Sequence, residues 1–179
     1  MQAQRRAGFD PLPNPPPARG RGLNRRLREI WAPCGISQCD KSCFLSALDT
    51  NVLARFFVDD ADDAQAAQQR PAAVAALSER SFVSVTVLLE LEWVMRGFYE
   101  LPTRDISHVL RGLAGMAHVT LEDRDAVLQA VDAFDNGLDF ADALHLARSS
   151  RTSGFATFDQ RLATRAKGLA LKPPVELLE

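Results

Sequence analysis

The chain has 179 residues, 46% hydrophobic and 25% charged, with a formal net charge of -2. That is enough chain for a domain with a real core, and the charge argues against a nucleic-acid binder working through bulk positive charge alone. No apolar run is long enough to span a membrane, and the basic N-terminus lacks the continuous apolar segment of a signal peptide, so the expected compartment is the cytoplasm.

The charge is split unevenly. Residues 1–43 carry eight Arg or Lys against three acids, and residues 44–179 carry thirteen against twenty. The acidic body still suits an enzyme whose carboxylates are neutralised by metal ions. In the first segment Pro11, Pro13, Pro15, Pro16 and Pro17 break regular structure, and Arg19, Arg21, Arg25, Arg26 and Arg28 follow. Leu23, Leu27, Ile30 and Trp31 have the spacing of a short basic amphipathic helix. The plain reading of residues 1–43 is a basic Pro/Arg-rich tail, disordered or translated from a start set too early. The sharper reading is an arm that touches RNA or DNA. Cys34, Cys39 and Cys43 also lie here, odd in number and with no histidine nearby, so they give no disulfide framework and only a weak case for zinc or iron–sulfur.

Residues 44–179 read as the folded domain. Phe44, Leu45, Ala47 and Leu48 suit a buried strand of a parallel sheet that stops on Asp49. Thr50 and Asn51 are helix-capping types, and a helix follows through Val52, Leu53, Phe56 and Phe57. One carboxylate thus sits where a strand ends and a helix begins, the edge at which open α/β sheets bind ligands. The acids Asp59, Asp60, Asp62 and Asp63 lack calcium-loop spacing and read as a solvated turn. Ala64 to Leu77 is an alanine-rich helix that Pro71 is expected to kink or divide.

Ser81 to Val85 forms the second strand, and Ser84 or Thr86 can cap the next helix. There Val87, Leu91, Val94 and Phe98 form one stripe that includes Glu90, whereas Glu92 points elsewhere. A carboxylate on a core-facing stripe needs a partner or a job. A helix over 103–116 shows Leu110 and Leu113 on an apolar face that suits a dimer surface. His118 to Leu121 is a third strand, and Glu122 to Phe134 a helix with acids in its first turn. His108 and His118 are assigned nothing.

After Gly137 a new helix begins near Asp139. Asp139, Asp142 and His145 share one face. Asp139 can be the N-cap; Asp142 lies one turn inside, among apolar residues. Gly154 to Phe158 is a last core strand ending on Asp159, which can cap the helix through Leu162 and Ala163. Val175, Leu177 and Leu178 give a final edge strand. Strand–helix alternation without tight hairpins implies an α/β fold: a three-layer α/β/α sandwich on a central parallel sheet, with Asp49, Glu90, Asp142 and Asp159 at one carboxyl edge.

Crowded carboxylates raise one another's pKa values, and a divalent cation removes the problem. Oxygen ligands alone favour Mg²⁺ or Mn²⁺ over zinc. A carboxylate-held ion suits phosphodiester hydrolysis, with one metal or two about 4 Å apart. No Ser, His or Cys nucleophile is set up, so in-line attack by metal-activated water is the expected chemistry. An aspartyl-phosphate enzyme would want a second Asp where Asn51 stands.

Leu48-Asp49-Thr50-Asn51-Val52-Leu53, Leu89-Glu90-Leu91-Glu92-Trp93-Val94, Asp139-Phe140-Ala141-Asp142-Ala143-Leu144 and Thr157-Phe158-Asp159 stand in an order and separation that resemble PIN-domain ribonucleases, in particular VapC-type toxins. The resemblance covers residues 44 to about 178. It implies that Asp49, Glu90, Asp142 and Asp159 take the places of the family's four acidic site residues, with Asp49, Asp142 and Glu90 as metal ligands. It also implies that Asp139 supports Asp159 and that Thr157 orients it by hydrogen bond. By the same resemblance the chain is a ribonuclease that forms a homodimer and is held inactive by a small VapB-like antitoxin. The expected substrate is structured RNA with an exposed single-stranded loop, whose unstacked backbone is easiest to present to metal ions. The tail of residues 1–43 departs from the family pattern. The alternatives are a PIN-fold nuclease in RNA maturation and a catalytically silent PIN-fold binding or regulatory protein.

Overall fold

The computed structural model describes residues 22–23, 45–60 and 63–179, the first two by their backbone alone. Its strands are β1 (Gly22–Leu23), β2 (Ser46–Ala47), β3 (Val58–Asp59), β4 (Ser81–Val83), β5 (Val119–Leu121), β6 (Phe155–Thr157) and β7 (Val175–Leu177). Its helices are α1 (Thr50–Phe57), α2 (Ala64–Ser78), α3 (Val85–Gly97), α4 (Thr103–Gly115), α5 (Arg124–Asp135), α6 (Phe140–Arg148) and α7 (Gln160–Gly168). The cysteines and most of residues 1–43 lie outside the described residues. Within that segment Leu23 belongs to a strand pair rather than the expected helix: Gly22 and Leu23 run antiparallel to Asp59 and Val58.

The fold is the expected α/β sandwich with parallel strands. β2, β4 and β5 form one ladder, with Ser46 opposite Ser81 and Val83 opposite Leu121. β6 and β7 form a second parallel ladder, Phe155 opposite Val175. Asp49 and Asp159 therefore follow strands of two separate hydrogen-bonded ladders, not of one continuous sheet. Strands of two or three residues make too few bonds to enforce continuity. β2 pairs only with β4 among the described residues, and Leu45 and Ala47 are accordingly exposed, so the expected buried strand begins to be buried only at Leu48.

The core lies between the helices. Leu53, Phe56 and Phe57 of α1, Leu88, Leu91 and Met95 of α3, Ile106, Leu110 and Leu113 of α4, and Phe140 and Leu144 of α6 are fully buried. Each such side chain contributes about 1.5–3 kcal/mol by leaving water. Leu110 and Leu113 thus belong to the core and are unavailable to a dimer surface. Among the described residues the large apolar side chains left exposed are Leu45, Trp93, Phe98, Phe158, Leu177 and Leu178.

Two helices differ from expectation at their polar residues. α2 runs unbroken through Pro71. The acid run before it is not uniformly solvated: Asp63 caps α2 through Gln65 and Ala66, while Asp60 is buried. α5 starts at Arg124, so Glu122 is not in its first turn. Glu122 instead accepts the Val85 N–H at 2.9 Å and serves the N-terminus of α3.

Candidate functional site

Four of the helices meet the site with their N-termini or their polar faces. Asp49 is the N-cap of α1, its Oδ1 accepting from the Val52 N–H at 2.9 Å. A carboxylate there satisfies an otherwise unpaired donor and suits the helix dipole, so Asp49 caps instead of Thr50 or Asn51. Asn51 is exposed on the first turn. Thr50 turns inward, 5% exposed, and donates through Oγ1 to Glu90 Oε2 at 2.5 Å. Glu90 is thereby held against the residue that follows Asp49.

Glu90 does not lie on the buried stripe of α3. That stripe runs through Val85, Leu88, Leu91, Glu92 and Met95, while Glu90 and Phe98 are exposed. The buried acid is Glu92, 3% exposed, which the periodicity placed elsewhere. Arg96, one turn on, makes this tolerable: its Nε and Nη2 donate to the two Glu92 oxygens at 2.6 and 3.3 Å. The Glu92 bond holds the Arg96 pKa above its ordinary value, against partial burial. Arg96 Nη2 also lies 3.8 Å from Asp139 Oδ2, tying α3 to the start of α6.

Asp139 caps α6, accepting the Ala141 N–H at 2.9 Å. Asp142, the third residue of that helix, is half-buried. Asp159 caps α7, accepting from Arg161 and Leu162 N–H at 2.7 and 3.1 Å. Thr157 Oγ1 accepts the Asp159 backbone N–H at 3.0 Å, so it braces the main chain rather than the carboxylate.

Asp139, Asp142 and Asp159 line one cavity of about 350 Å³, together with Thr103, Phe134, Gly137, Leu138, Arg161, Leu162 and Arg165. Phe134 stacks edge-on against Phe140 with ring centres 5.8 Å apart, which anchors the cavity wall to the core. Burial, then the charges of Asp139 and Asp159, push the Asp142 carboxyl above its ordinary range, with His145 opposing.

Asp49 and Glu90 do not line this cavity, and among the described residues no three His, Cys, Asp or Glu side chains stand close enough to hold one metal ion. The acids expected in a single pocket fall into two groups, both tied to α3. Most of these acids have an engagement of their own: helix amides for Asp49, Asp139 and Asp159, and Thr50 for Glu90. The donor chemistry nevertheless fits a hard divalent cation. Every candidate ligand is a carboxylate oxygen, and Asp142 is pressed by two neighbouring negative charges that a cation would relieve. Oδ2 of Asp49 and Oδ2 of Asp159 accept no hydrogen bond among the described residues.

Sequence reasoning misses Thr50, Arg96, Arg161 and Arg165 as site residues. Only Arg96 has a signal, the i,i+4 spacing from Glu92. The others become visible when α1 meets α3 and when α7 meets the cavity.

Short parallel strands leading into acid-capped helices, with Asp139, Asp142 and Asp159 on one cavity, mark an α/β protein with an acidic site. The PIN domain family model matches residues 47–168, and the chain belongs to that family. PIN domains are generally nucleases that act on nucleic acid and use divalent metal ions. No curated protein and no solved structure matches the chain. No helix among the described residues is long and apolar enough to cross a membrane.

Proposed function

We propose that the chain is an endoribonuclease dependent on Mg²⁺ or Mn²⁺, and the toxin of a VapBC-type pair. The observation that carries this is the cavity shared by Asp139, Asp142 and Asp159 in a PIN-domain chain. In this reading Asp142 and Asp159 would hold the ion from the cavity, and Asp49 and Glu90 would have to close on it from the α1–α3 corner outside that cavity. A divalent ion bound there lowers the pKa of water and offsets charge on the phosphate. The chain's own residues fix the acids: helix amides hold Asp49 and Asp159, Thr50 aims Glu90, and Arg96 links Asp139 to α3. The substrate is RNA with an unstacked single-stranded loop, whose backbone is easiest to present to the acids. In this reading the protein is a cytoplasmic homodimer restrained by a small VapB-like antitoxin.

The test is cleavage of a looped RNA by purified protein with Mg²⁺. Cleavage is expected, and EDTA, Asp142→Asn and Asp49→Asn should each abolish it while far-UV circular dichroism stays folded. Parental cleavage by Asp49→Asn would remove Asp49 from the site. Induced expression with sequencing of new RNA 5′ ends then separates the roles. Growth arrest with cutting at one defined site supports the toxin. RNA binding that ignores EDTA, with no cleavage, would instead identify a silent PIN fold.

A further inference from the structure

The acidic cavity has a basic wall. Helix α7 carries Arg161, Arg165 and Lys167 and no acid, within a body whose net charge is strongly negative. Arg161 and Arg165 are four residues apart, share a helix face, and both line the cavity that holds Asp139, Asp142 and Asp159.

Arginine–carboxylate pairs are common in this protein but not universal: Arg124 donates to the Ala114 carbonyl instead. Arg55, Arg70, Arg96, Arg111 and Arg148 each form a salt bridge to a carboxylate. Among the described residues Arg161 and Arg165 form none, although three aspartates share their cavity. Arg165 makes one long hydrogen bond to the Asn136 carbonyl, at 3.4 Å, and lies over Gly137. Gly137 has φ +85°, and a Cβ there would strike the Arg165 guanidinium. The guanidinium thus lies where a Cβ at Gly137 would stand, and an alanine there would push it aside.

We propose that Arg161 and Arg165 form a phosphate clamp that holds the RNA backbone beside the scissile phosphate. The proposal rests on the nuclease reading above. A single strand brings one negative charge per nucleotide into a cavity that already holds three carboxylates. The reacting phosphate is neutralised at the acidic set when its ion is bound, but the flanking phosphate needs cations of its own. Two exposed guanidinium groups, each with several N–H donors in a planar fork, match a phosphate's oxygens. These are positioning residues, since the acids face the reacting atoms.

The experiment measures binding of a fluorescein-labelled single-stranded oligoribonucleotide by anisotropy across a salt series. The protein carries Asp142→Asn so that no cleavage intervenes. Adding Arg161→Gln or Arg165→Gln should weaken Kd about tenfold and flatten the log–log salt slope by about 0.7 for each phosphate left without its guanidinium. Arg165→Lys should keep the slope while losing part of the affinity, which a merely structural role would not produce. Parental Kd and slope in both glutamine variants, in a protein that still cleaves RNA when Asp142 is intact, would reject the clamp alone. A parent chain that neither binds nor cleaves RNA would reject the nuclease reading and the clamp with it. Binding of a poly-glutamate peptide in place of RNA would reassign the arginines to an acidic protein partner.

Discussion

Thr50 and Glu90, forty residues apart, are joined by a 2.5 Å hydrogen bond from the threonine hydroxyl to the carboxylate. The bond fastens α1 to α3 at the residue beside Asp49. Replacing Thr50 by Val keeps the shape and removes the donor. The expected cost is about 1–2 kcal/mol, because the buried threonine hydroxyl and its bond to the carboxylate are lost. RNA cleavage should fall about tenfold as Glu90 loses its orientation. Thr50→Ser should restore both. Urea unfolding and initial rates of cleavage check this, and a Thr50→Val protein that melts and cuts like the parent would show that Glu90 is not positioned by the hydroxyl.

The Glu92–Arg96 pair makes a sharper stability prediction. Arg96→Met strands a carboxylate that is 3% exposed. Breaking a buried pair costs about 3–5 kcal/mol; Arg96 is half-exposed, so about 2 kcal/mol is expected here. Glu92→Leu combined with Arg96→Met removes both charges and should recover most of that loss. Urea denaturation of the two single variants and the double variant gives the coupling directly. Additive losses would mean that the pair is not what holds this corner of α3.

Gly137 closes the wall that Arg165 lies on. Gly137→Ala is strained by the φ of +85° and displaces the Arg165 guanidinium. The expected destabilisation is about 1–3 kcal/mol, seen as a fall in Tm. RNA affinity should drop in the same variant, because the guanidinium must move. Unchanged Tm and affinity would mean that the backbone relaxes freely at this turn.

Much of the fold is legible in the sequence because its signals are local. The ends of α4, the Ser84 cap of α3, and the strands at Ser81, Val119 and Phe155 follow from apolar spacing and capping chemistry. Asp139, Asp142 and Asp159 are also legible as acids at helix starts, and they do share a cavity. What escapes the sequence is longer in range. Spacing alone puts the α3 stripe one step out of phase, because Glu92 looks polar until Arg96 folds back to cover it. Leu110 and Leu113 look free until α5 and α3 pack against α4. Thr157 stands two residues before Asp159 and binds its amide rather than its carboxylate, a distinction that no residue spacing encodes.

Asp142 provides a prediction in which stability and function oppose each other. Its carboxyl is held above the ordinary value of 3.8, first by burial, then by Asp139 and Asp159. A carboxyl whose folded-state pKa is raised binds its proton more tightly when folded. It therefore favours the folded state at pH below its ordinary value, and that contribution is lost as pH rises through the raised one. Asp142→Asn never ionises, so its Tm advantage over the parent should be absent in acid and grow as pH climbs out of the carboxylate range. At neutral pH the variant should be the more stable protein and the inactive one. Millimolar Mg²⁺ should narrow the gap by raising the parent's Tm while leaving the variant's almost unmoved, since a ligand stabilises only the state it binds. Thermal melts across pH, with and without Mg²⁺, measure all of this. An Asp142→Asn protein that melts below the parent at neutral pH would mean that Asp142 is a structural anchor and not a strained site residue.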